Sequence, residues 1–130
     1  KFYLELDQSQ DNPLDKLQSH LRMLSAQASD EEVALGCPLN NLVQEMSPLD
    51  EDFRLRMKGI VDTIHRSVTH ALQRGQQAGF VQKGIDAESW SQFFFAQIEG
   101  AYGIAKVRKD AAAFRRNMNL LSGFLDSIRT

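Results

Sequence analysis

The sequence contains only one cysteine, Cys37, among its 130 residues. An intrachain disulfide is therefore impossible, and the composition fits a reducing compartment, so we expect a cytoplasmic protein. No run of about 18 apolar residues is present, which leaves no candidate for a membrane-spanning helix. Residues 1–5 have neither the form of a secretory signal nor an initiating methionine. We expect that the chain begins inside a longer gene product.

A surplus of positive charge is also missing, because 15 basic residues are balanced by 17 acidic ones and the net charge is −2. Domains that bind nucleic acid through its phosphates usually carry a basic surplus. We therefore expect that this chain does not contact DNA itself.

Sequence patterns for metal, phosphate or nucleophilic chemistry are absent as well. A helical di-iron site needs Glu-x-x-His pairs, and the sequence contains none. His65 and His70 are five residues apart, about 140° around a helix, and cannot share one metal ion from it. Glycine-rich phosphate loops, zinc-ligand spacings and serine-triad signatures do not occur. We expect no enzymatic activity, no cofactor and no metal site.

The stretch from Ser47 to Phe80 predicts one long helix around which the rest of the chain packs. Ser47 followed by Pro48 has the form of a helix start, and Gly79 followed by Phe80 has the form of a stop. Between them, apolar residues recur at steps of three and four, which is one face of a helix. These residues are Phe53, Met57, Ile60, Ile64, Val68 and Ala71.

The remaining segments also have helical periodicity, and none predicts a strand. Residues 1–8 predict the end of a helix, and Asn12 caps a second helix over 13–28. Residues 29–32 are either a charged loop or the cap of the next segment, and Gly36 and Pro38 argue against a helix running through 33–38. Short and long helices are predicted over 39–45, 86–109 and 110–129. The fold class is all-α, with about five helices and an N-terminal stub.

Aromatic residues concentrate in the helix over 86–109, with four of them between Trp90 and Phe95. They cover more than one helix face, so they either pack into the core or line a cavity for an apolar ligand. Candidate polar groups for such a cavity are Asn40, Asn41, Glu45 and Gln97.

Cys37 and His20 each allow two interpretations. Cys37 lies between Gly36 and Pro38, near a helix start of the kind that lowers the pKa of a thiol. It is either a small buried residue or a thiol that senses oxidants or electrophiles. His20 lies beside the leucine stripe of its helix and is either a solvated histidine or the polar group of a pocket.

Residues 36–45, together with residues 47–56, resemble the C-terminal half of TetR/AcrR-family transcriptional regulators. Residues 93–108 resemble the same family, with 99–101 and 104–106 at the centre of the similarity. The resemblance covers nearly the whole chain from about residue 12. Its motifs are diffuse and mostly hydrophobic, and the order of helices agrees.

In that family an N-terminal helix-turn-helix binds the operator, and the larger C-terminal domain binds a small effector and forms a homodimer. The resemblance implies that residues 1–130 are one effector-binding and dimerisation domain, and that residues 1–8 end the helix linking it to the missing DNA-binding part. It implies a repressor that contacts DNA only through that part, a mostly apolar small-molecule effector and no membrane partner.

The resemblance also implies that the last two helices, over residues 86–129, pair with their copies in a second subunit as a four-helix bundle. The surplus apolar stripes of these helices fit such an arrangement. The implied dimer-interface residues are Phe93, Gly100, Ile104, Val107, Phe114, Met118, Leu121, Phe124, Leu125 and Ile128.

The effector pocket of relatives lies between the middle helices. Carried onto this sequence by helix and face, the implied ligand-binding residues are Leu17, His20, Leu21, Asn41, Leu42, Phe53, Met57, Ile60, Ile64, Trp90, Phe94 and Gln97. Some relatives sense electrophiles through a cysteine at the matching step, which implies a redox role for Cys37. The alternatives to an effector-binding regulator are a thiol sensor of the same architecture, a helical enzyme or carrier, and a plain helical interaction module.

Overall fold

Seven helices and the short segments between them account for all 130 residues of the computed structural model. The helices are α1 (Phe2–Gln8), α2 (Pro13–Gln27), α3 (Asp30–Leu35), α4 (Pro38–Met46), α5 (Glu51–Ala78), α6 (Ala87–Arg108) and α7 (Ala111–Ser127). The all-α prediction is confirmed, and a single β-bridge between Val81 and Arg129 is the only extended pairing. None of the helices is both long enough and apolar enough to cross a membrane.

The long helix begins three residues later than the sequence suggested. The side chain of Asp50 accepts the backbone N–H of Phe53 at 3.0 Å and caps α5, whereas Ser47 ends α4. The prediction that Ser47 and Pro48 start the helix is therefore wrong. An aspartate next to free backbone N–H groups satisfies one of them and also interacts favourably with the positive helix end, which makes it the stronger cap. Residues 47–50 instead turn the chain from α4 into α5.

The C-terminal end of α5 lies where it was predicted. Gly79 adopts a left-handed conformation with φ of 85°, and the N–H of Phe80 donates to the carbonyl oxygen of Gly75 at 2.8 Å. Gly75 itself is required by packing, because a Cβ there would lie 2.7 Å from side-chain atoms of both Pro13 and Val81. This close approach holds α2 and the segment after α5 against the last turns of the long helix.

The region before α4 contains a short helix, α3, that the sequence did not predict as a helix of its own. Ser29 caps α3 by accepting the N–H of Glu32 at 3.1 Å, in agreement with the cap that was one of two expectations for residues 29–32. The helix ends at Gly36, whose φ is 74°, and α4 begins at Pro38 with Cys37 as its N-cap residue. The expected break between residues 33 and 38 is therefore present.

The core lies between α2, the C-terminal half of α5, α6 and α7. Its largest fully buried side chains are Leu6, Leu14, Leu17, Leu21, Leu72, Phe94, Phe114, Met118 and Leu125. The predicted apolar stripe of α5 is buried only from Val68 onward. In the N-terminal half of α5, Ile60 is exposed and Phe53, Met57 and Ile64 are only partly buried.

A polar network fastens the end of the chain to α2. The amide of Gln18 donates to Asp126 Oδ1 at 2.8 Å and accepts from the guanidinium of Arg129 at 3.0 Å. Arg129 also pairs with Asp15 at 2.9 Å. Because Gln18 is buried, these bonds satisfy a polar group that would otherwise be costly. They set the position of α7, and hence the surface that α6 and α7 share.

Replacing Asp50 by Ala should destabilise the chain by about 1 kcal/mol, because the cap of its longest helix would be lost. Chemical denaturation followed by circular dichroism measures this effect. Ser47→Ala is the matched control and should change the stability little, since Ser47 does not cap α5. A larger loss in Ser47→Ala than in Asp50→Ala would contradict this assignment of the helix start.

Candidate functional site

Five polar or titratable side chains from four parts of the chain converge inside the bundle. Tyr3 comes from α1, His20 from α2, Cys37 from the start of α4, and Glu99 and Tyr102 from α6. Tyr3 meets His20 edge-on, and Glu99 contributes to the raised pKa values of Tyr3, Cys37 and Tyr102. We call these five residues the buried polar cluster. Such a group of titratable side chains inside an apolar bundle is typical of a ligand site.

His20 is held between two aromatic rings of α1. Its imidazole stacks on Phe2 with ring centroids 3.9 Å apart and planes 4° from parallel, and Tyr3 meets it edge-on at 5.7 Å. The Nδ1 atom is buried and has no hydrogen-bond partner. Burial lowers the pKa of His20 from its ordinary value of 6.5 to about 4. The ring is therefore neutral near pH 7, and its unpartnered nitrogen is free to bind a polar ligand atom.

Glu99 is the only carboxylate of the cluster. Its Oε2 atom is buried without a hydrogen-bond partner, and no lysine or arginine forms an ion pair with it. Burial raises the pKa of Glu99, and contact with the thiol of Cys37 opposes that effect. Burial raises the pKa of Tyr3 and Tyr102 too, with a further contribution from the charge of Glu99. These linked effects indicate that Glu99 lies close to both tyrosines.

The thiol of Cys37 is not activated. Burial raises its pKa, and the backbone N–H groups of Asn40 and Leu39 at the start of α4 lower it only in part, while Glu99 raises it further. The helix start lowers the pKa as expected, but desolvation and the nearby carboxylate outweigh it and the net shift is upward. The protonated thiol, the weakly reactive form, predominates at neutral pH.

Two cavities adjoin the cluster. The larger has a volume of about 170 Å³ and lies between the ends of α2, α3 and α6; its lining is Leu24, Gln27, Ala28, Glu32, Val33, Gly36, Cys37, Pro38 and Tyr102. The smaller, of about 50 Å³, is lined by Leu39, Asn40, Val43, Val61, Phe95 and Glu99. We call them the α3 cavity and the α4 cavity. Since Cys37 contacts Glu99, the cluster connects the two linings. No group of three or more histidine, cysteine or carboxylate side chains could hold a metal ion.

The twelve implied ligand-binding residues are divided between different environments. Leu17, Leu21 and Phe94 are fully buried in the core, whereas Leu42, Ile60 and Gln97 are exposed. Phe53, Met57 and Ile64 are partly buried, and Trp90 lines a surface groove of about 310 Å³ with Ser89, Phe93 and Phe124. Asn41 donates to the carbonyl of Leu35 and accepts from Lys106. Only His20 joins the buried polar cluster, and none of the twelve lines either cavity.

The ten implied dimer-interface residues fall into two halves. Phe93, Gly100, Ile104, Val107 and Phe124 lie at least partly at the surface of α6 and α7. The other five, Phe114, Met118, Leu121, Leu125 and Ile128, are at most 3% exposed inside the core of this chain. Their assignment to an interface is corrected, because the apolar stripe of α7 is needed to cover α2 and α6. Leu120, 65% exposed, belongs with the surface half.

Sequence reasoning missed Tyr3, Glu99 and Tyr102. Tyr3 lay in a short stub with little context, and Glu99 was noticed only for the family resemblance. One signal was available for Glu99: it is the only acidic residue between Glu88 and Asp110, in the middle of a helix that is apolar on two faces. A charged group in that position is either exposed or part of a buried site. In the structure, Glu99 Oε2 is buried.

The all-α fold is consistent with the C-terminal domain of a helix-turn-helix transcriptional regulator. The family described as Tetracyclin repressor-like, C-terminal domain, matches residues 13–121. The chain belongs to this TetR family.

Two regulators illustrate the relationship. The chain is 26% identical over 118 residues to an uncharacterized HTH-type transcriptional regulator in the lacX 3' region of Lactococcus lactis subsp. lactis, across 91% of this chain and 58% of that protein. It is 30% identical over 95 residues to the transcriptional regulator AcuR of Cereibacter sphaeroides, across 73% of this chain and 43% of that protein. The chain spans about half the length of these curated relatives. No solved structure matches it significantly.

Replacing His20 by Phe should reduce the dependence of stability on pH. The unfolded chain binds a proton at the ordinary pKa of 6.5 and the folded chain at about 4, so this contribution to stability is complete above 6.5 and is lost as the pH falls towards 4. Phenylalanine keeps the stack on Phe2 without titrating. Melting temperatures measured between pH 4 and about 7 should therefore vary less in His20→Phe than in the unmodified chain.

The matched control is His70→Phe, which alters an exposed histidine on α5. This variant should keep the pH dependence that His20 confers. An equally strong pH dependence in His20→Phe would show that the imidazole is not buried in its neutral form.

Proposed function

We propose that this chain is the effector-binding and dimerisation part of a transcriptional repressor, with a small, mostly apolar effector bound at the buried polar cluster and its two cavities. The observation that carries the proposal is Glu99 Oε2, a buried unpartnered atom of a residue that lines the α4 cavity, with a second buried unpartnered atom, His20 Nδ1, in the same cluster. An unpartnered polar atom in a protein interior is costly, and a ligand that supplies the missing hydrogen bond removes the cost. Operator binding belongs to a helix-turn-helix part outside these residues, and the protein acts in the cytoplasm.

The first helix connects this site to the DNA-binding part. Phe2 and Tyr3 of α1 contact His20 directly, and Leu6 is buried against the core. On the other side, Arg74 of α5 donates to the carbonyl of Leu6 at 2.8 Å and lies 3.6 Å from Asp7. In our proposal residues 1–8 end the linking helix, so a ligand beside Tyr3 and His20 acts on that helix. The ligand shifts operator binding by as much as its affinities for the two positions of α1 differ.

Dimerisation is proposed through one face of α6 and α7. Ile104, Val107, Leu120 and Phe124 are each more than half exposed, and together they form an apolar surface that isolated soluble domains rarely leave uncovered. Phe93 and Phe124 meet edge-on at 5.8 Å and join the two helices into one surface. We call this surface the α6–α7 face.

Glycines support the same assignment. Gly100, Gly103 and Gly123 are exposed, and a side chain at any of them would meet no atom of this chain within 4 Å. Glycine inside a helix costs up to about 1 kcal/mol relative to alanine, and nothing within the chain offsets that cost here. Close approach of a second copy does offset it, which favours a four-helix bundle over residues 86–129.

The thiol sensor is the weaker alternative. The raised pKa of Cys37 keeps its sulfur in the less nucleophilic form. Enzymatic activity is weaker still, since the family and both relatives are transcriptional regulators.

Replacing Val107 or Leu120 by Asp should convert a dimer into a monomer. In a two-fold interface each substitution occurs twice, and it places charges in an apolar contact. Native mass spectrometry of the unmodified chain should give twice the 14.7 kDa chain mass, and either variant should give the single mass. Leu49→Asp is the control, because Leu49 is 79% exposed in the turn before α5 and should leave the dimer intact. A monomeric unmodified chain would remove the dimer from this proposal.

Replacing Leu24 by Trp should block effector binding, because the larger side chain fills the α3 cavity without changing any charge. Ligands found by thermal-shift screening of the unmodified chain should lose at least about tenfold in affinity for the variant, which corresponds to ~1.4 kcal/mol. Leu35→Trp, at an exposed position of the neighbouring helix, is the control. Equal affinity of the Leu24→Trp variant and the unmodified chain would show that the effector does not bind in this cavity.

A further inference from the structure

Glu99 is a partly buried carboxyl group that no basic residue of the chain pairs with. Its Oε2 atom makes no hydrogen bond, and none of the ion pairs in the structure includes it. A buried carboxylate is normally paired or hydrogen-bonded, since desolvation of an isolated charge is expensive. The missing partner of Oε2 is therefore a positively charged group or another hydrogen-bond donor, and no residue of the chain supplies it.

The titratable groups that face Glu99 carry no positive charge near pH 7. The titratable groups facing it are Tyr3 from α1, Cys37 at the start of α4 and Tyr102 one turn along α6. His20, which meets Tyr3, is neutral near pH 7. A second carboxylate, Glu32 of α3, lines the α3 cavity together with Tyr102. Lys106, on the same helix as Glu99, donates instead to Asn41 at 3.1 Å.

Aromatic rings line the cavities beside Glu99. Phe95 lines the α4 cavity with Glu99, and Tyr102 lines the α3 cavity with Cys37. The electron-rich face of an aromatic ring attracts a cation, most strongly where water is excluded. A carboxylate among aromatic rings with no basic residue is thus suited to a positively charged ligand and unsuited to an anionic one.

We propose that the effector is a small organic cation, a primary amine in its protonated form or a comparable ammonium group, bound by Glu99 with its hydrocarbon part in the adjoining cavity. This rests on the proposed function in placing the effector at the buried polar cluster. The size of the α3 cavity sets the size of the ligand. Its volume is about 170 Å³, and an apolar cavity of roughly 150 Å³ accepts one benzene molecule. One ring or a short chain bearing the amine therefore fits.

The test compares three probes of one shape that differ in charge: benzylammonium, benzyl alcohol and benzoate. Binding to the 130-residue chain is measured by isothermal titration calorimetry near pH 7.5. Benzylammonium should bind, benzyl alcohol should bind at least about tenfold more weakly, and benzoate should not bind, because a hydrogen bond to a charged group is stronger than one between neutral groups.

Glu99→Gln keeps the shape of the side chain and removes its charge. The variant should lose at least about tenfold in affinity for benzylammonium while its affinity for benzyl alcohol changes little. Glu88→Gln is the matched control, an exposed glutamate near the start of α6, and should bind all three probes as the unmodified chain does.

Three outcomes would overturn the inference. Binding of benzyl alcohol or benzoate as tight as that of benzylammonium refutes the cationic effector and leaves the proposed regulator function standing. Full affinity of Glu99→Gln for benzylammonium would show that another residue binds the cation. Absence of binding by all three probes at millimolar concentration overturns the inference and counts against a ligand site at the cluster as well.

The unliganded chain provides a second measurement. Since the pKa of Glu99 is raised in the folded state, the folded chain holds its proton over a pH range in which the unfolded chain has lost it. Stability therefore falls as the pH rises through that range, and the carboxylate is destabilising at neutral pH. Glu99→Gln should melt at a higher temperature than the unmodified chain near pH 7, and the difference should shrink as the pH falls towards 4. Equal melting temperatures at neutral pH would refute a buried, unpaired charge.

Discussion

The need to cover α5 arranges the rest of the structure. This helix has 28 residues and is about 42 Å long at 1.5 Å per residue, so no single neighbour of ordinary length can bury its apolar face. α1 and α6 pack most extensively against it, and α2 and α4 pack against it as well. The close contact of Gly75 with Pro13 and Val81 fixes the well-packed end. Toward the other end the packing loosens, since Phe53, Met57 and Ile64 are only partly buried and Val61 lines the α4 cavity.

Polar groups are also found inside the bundle. Where α1, α2 and α6 meet, the chain places Tyr3, His20 and Glu99 together. Two of the resulting polar atoms stay without partners, which is a cost to stability. Functional sites are where such costs are usually found. Because Phe2 and Tyr3 of the first helix contact His20, the proposed ligand site and that helix are in direct contact.

Particular residues show how far the sequence could be interpreted. Helix periodicity located α2, α5, α6 and α7, and Asn12 and Gly79 act as the predicted cap residues. The sequence did not show which of two residues caps α5. Ser47 and Asp50 both have suitable side chains, and only the turn after α4 selects Asp50. The stripe of α7 was assigned to a partner subunit, although it is core. A stripe shows that a surface is buried, and it does not show whether the covering atoms belong to the same chain.

The site depended on tertiary structure for a related reason. Glu99 and Cys37 are 62 positions apart, and Tyr3 and His20 meet only because α1 folds back onto α2, so no local spacing connects these residues. What the sequence determined by itself was the all-α class, the helix order and the lack of a basic surface, since these depend on periodicity and composition. What only the tertiary structure decided was which polar side chains are buried together and which apolar ones stay outside, since burial depends on contacts between distant segments.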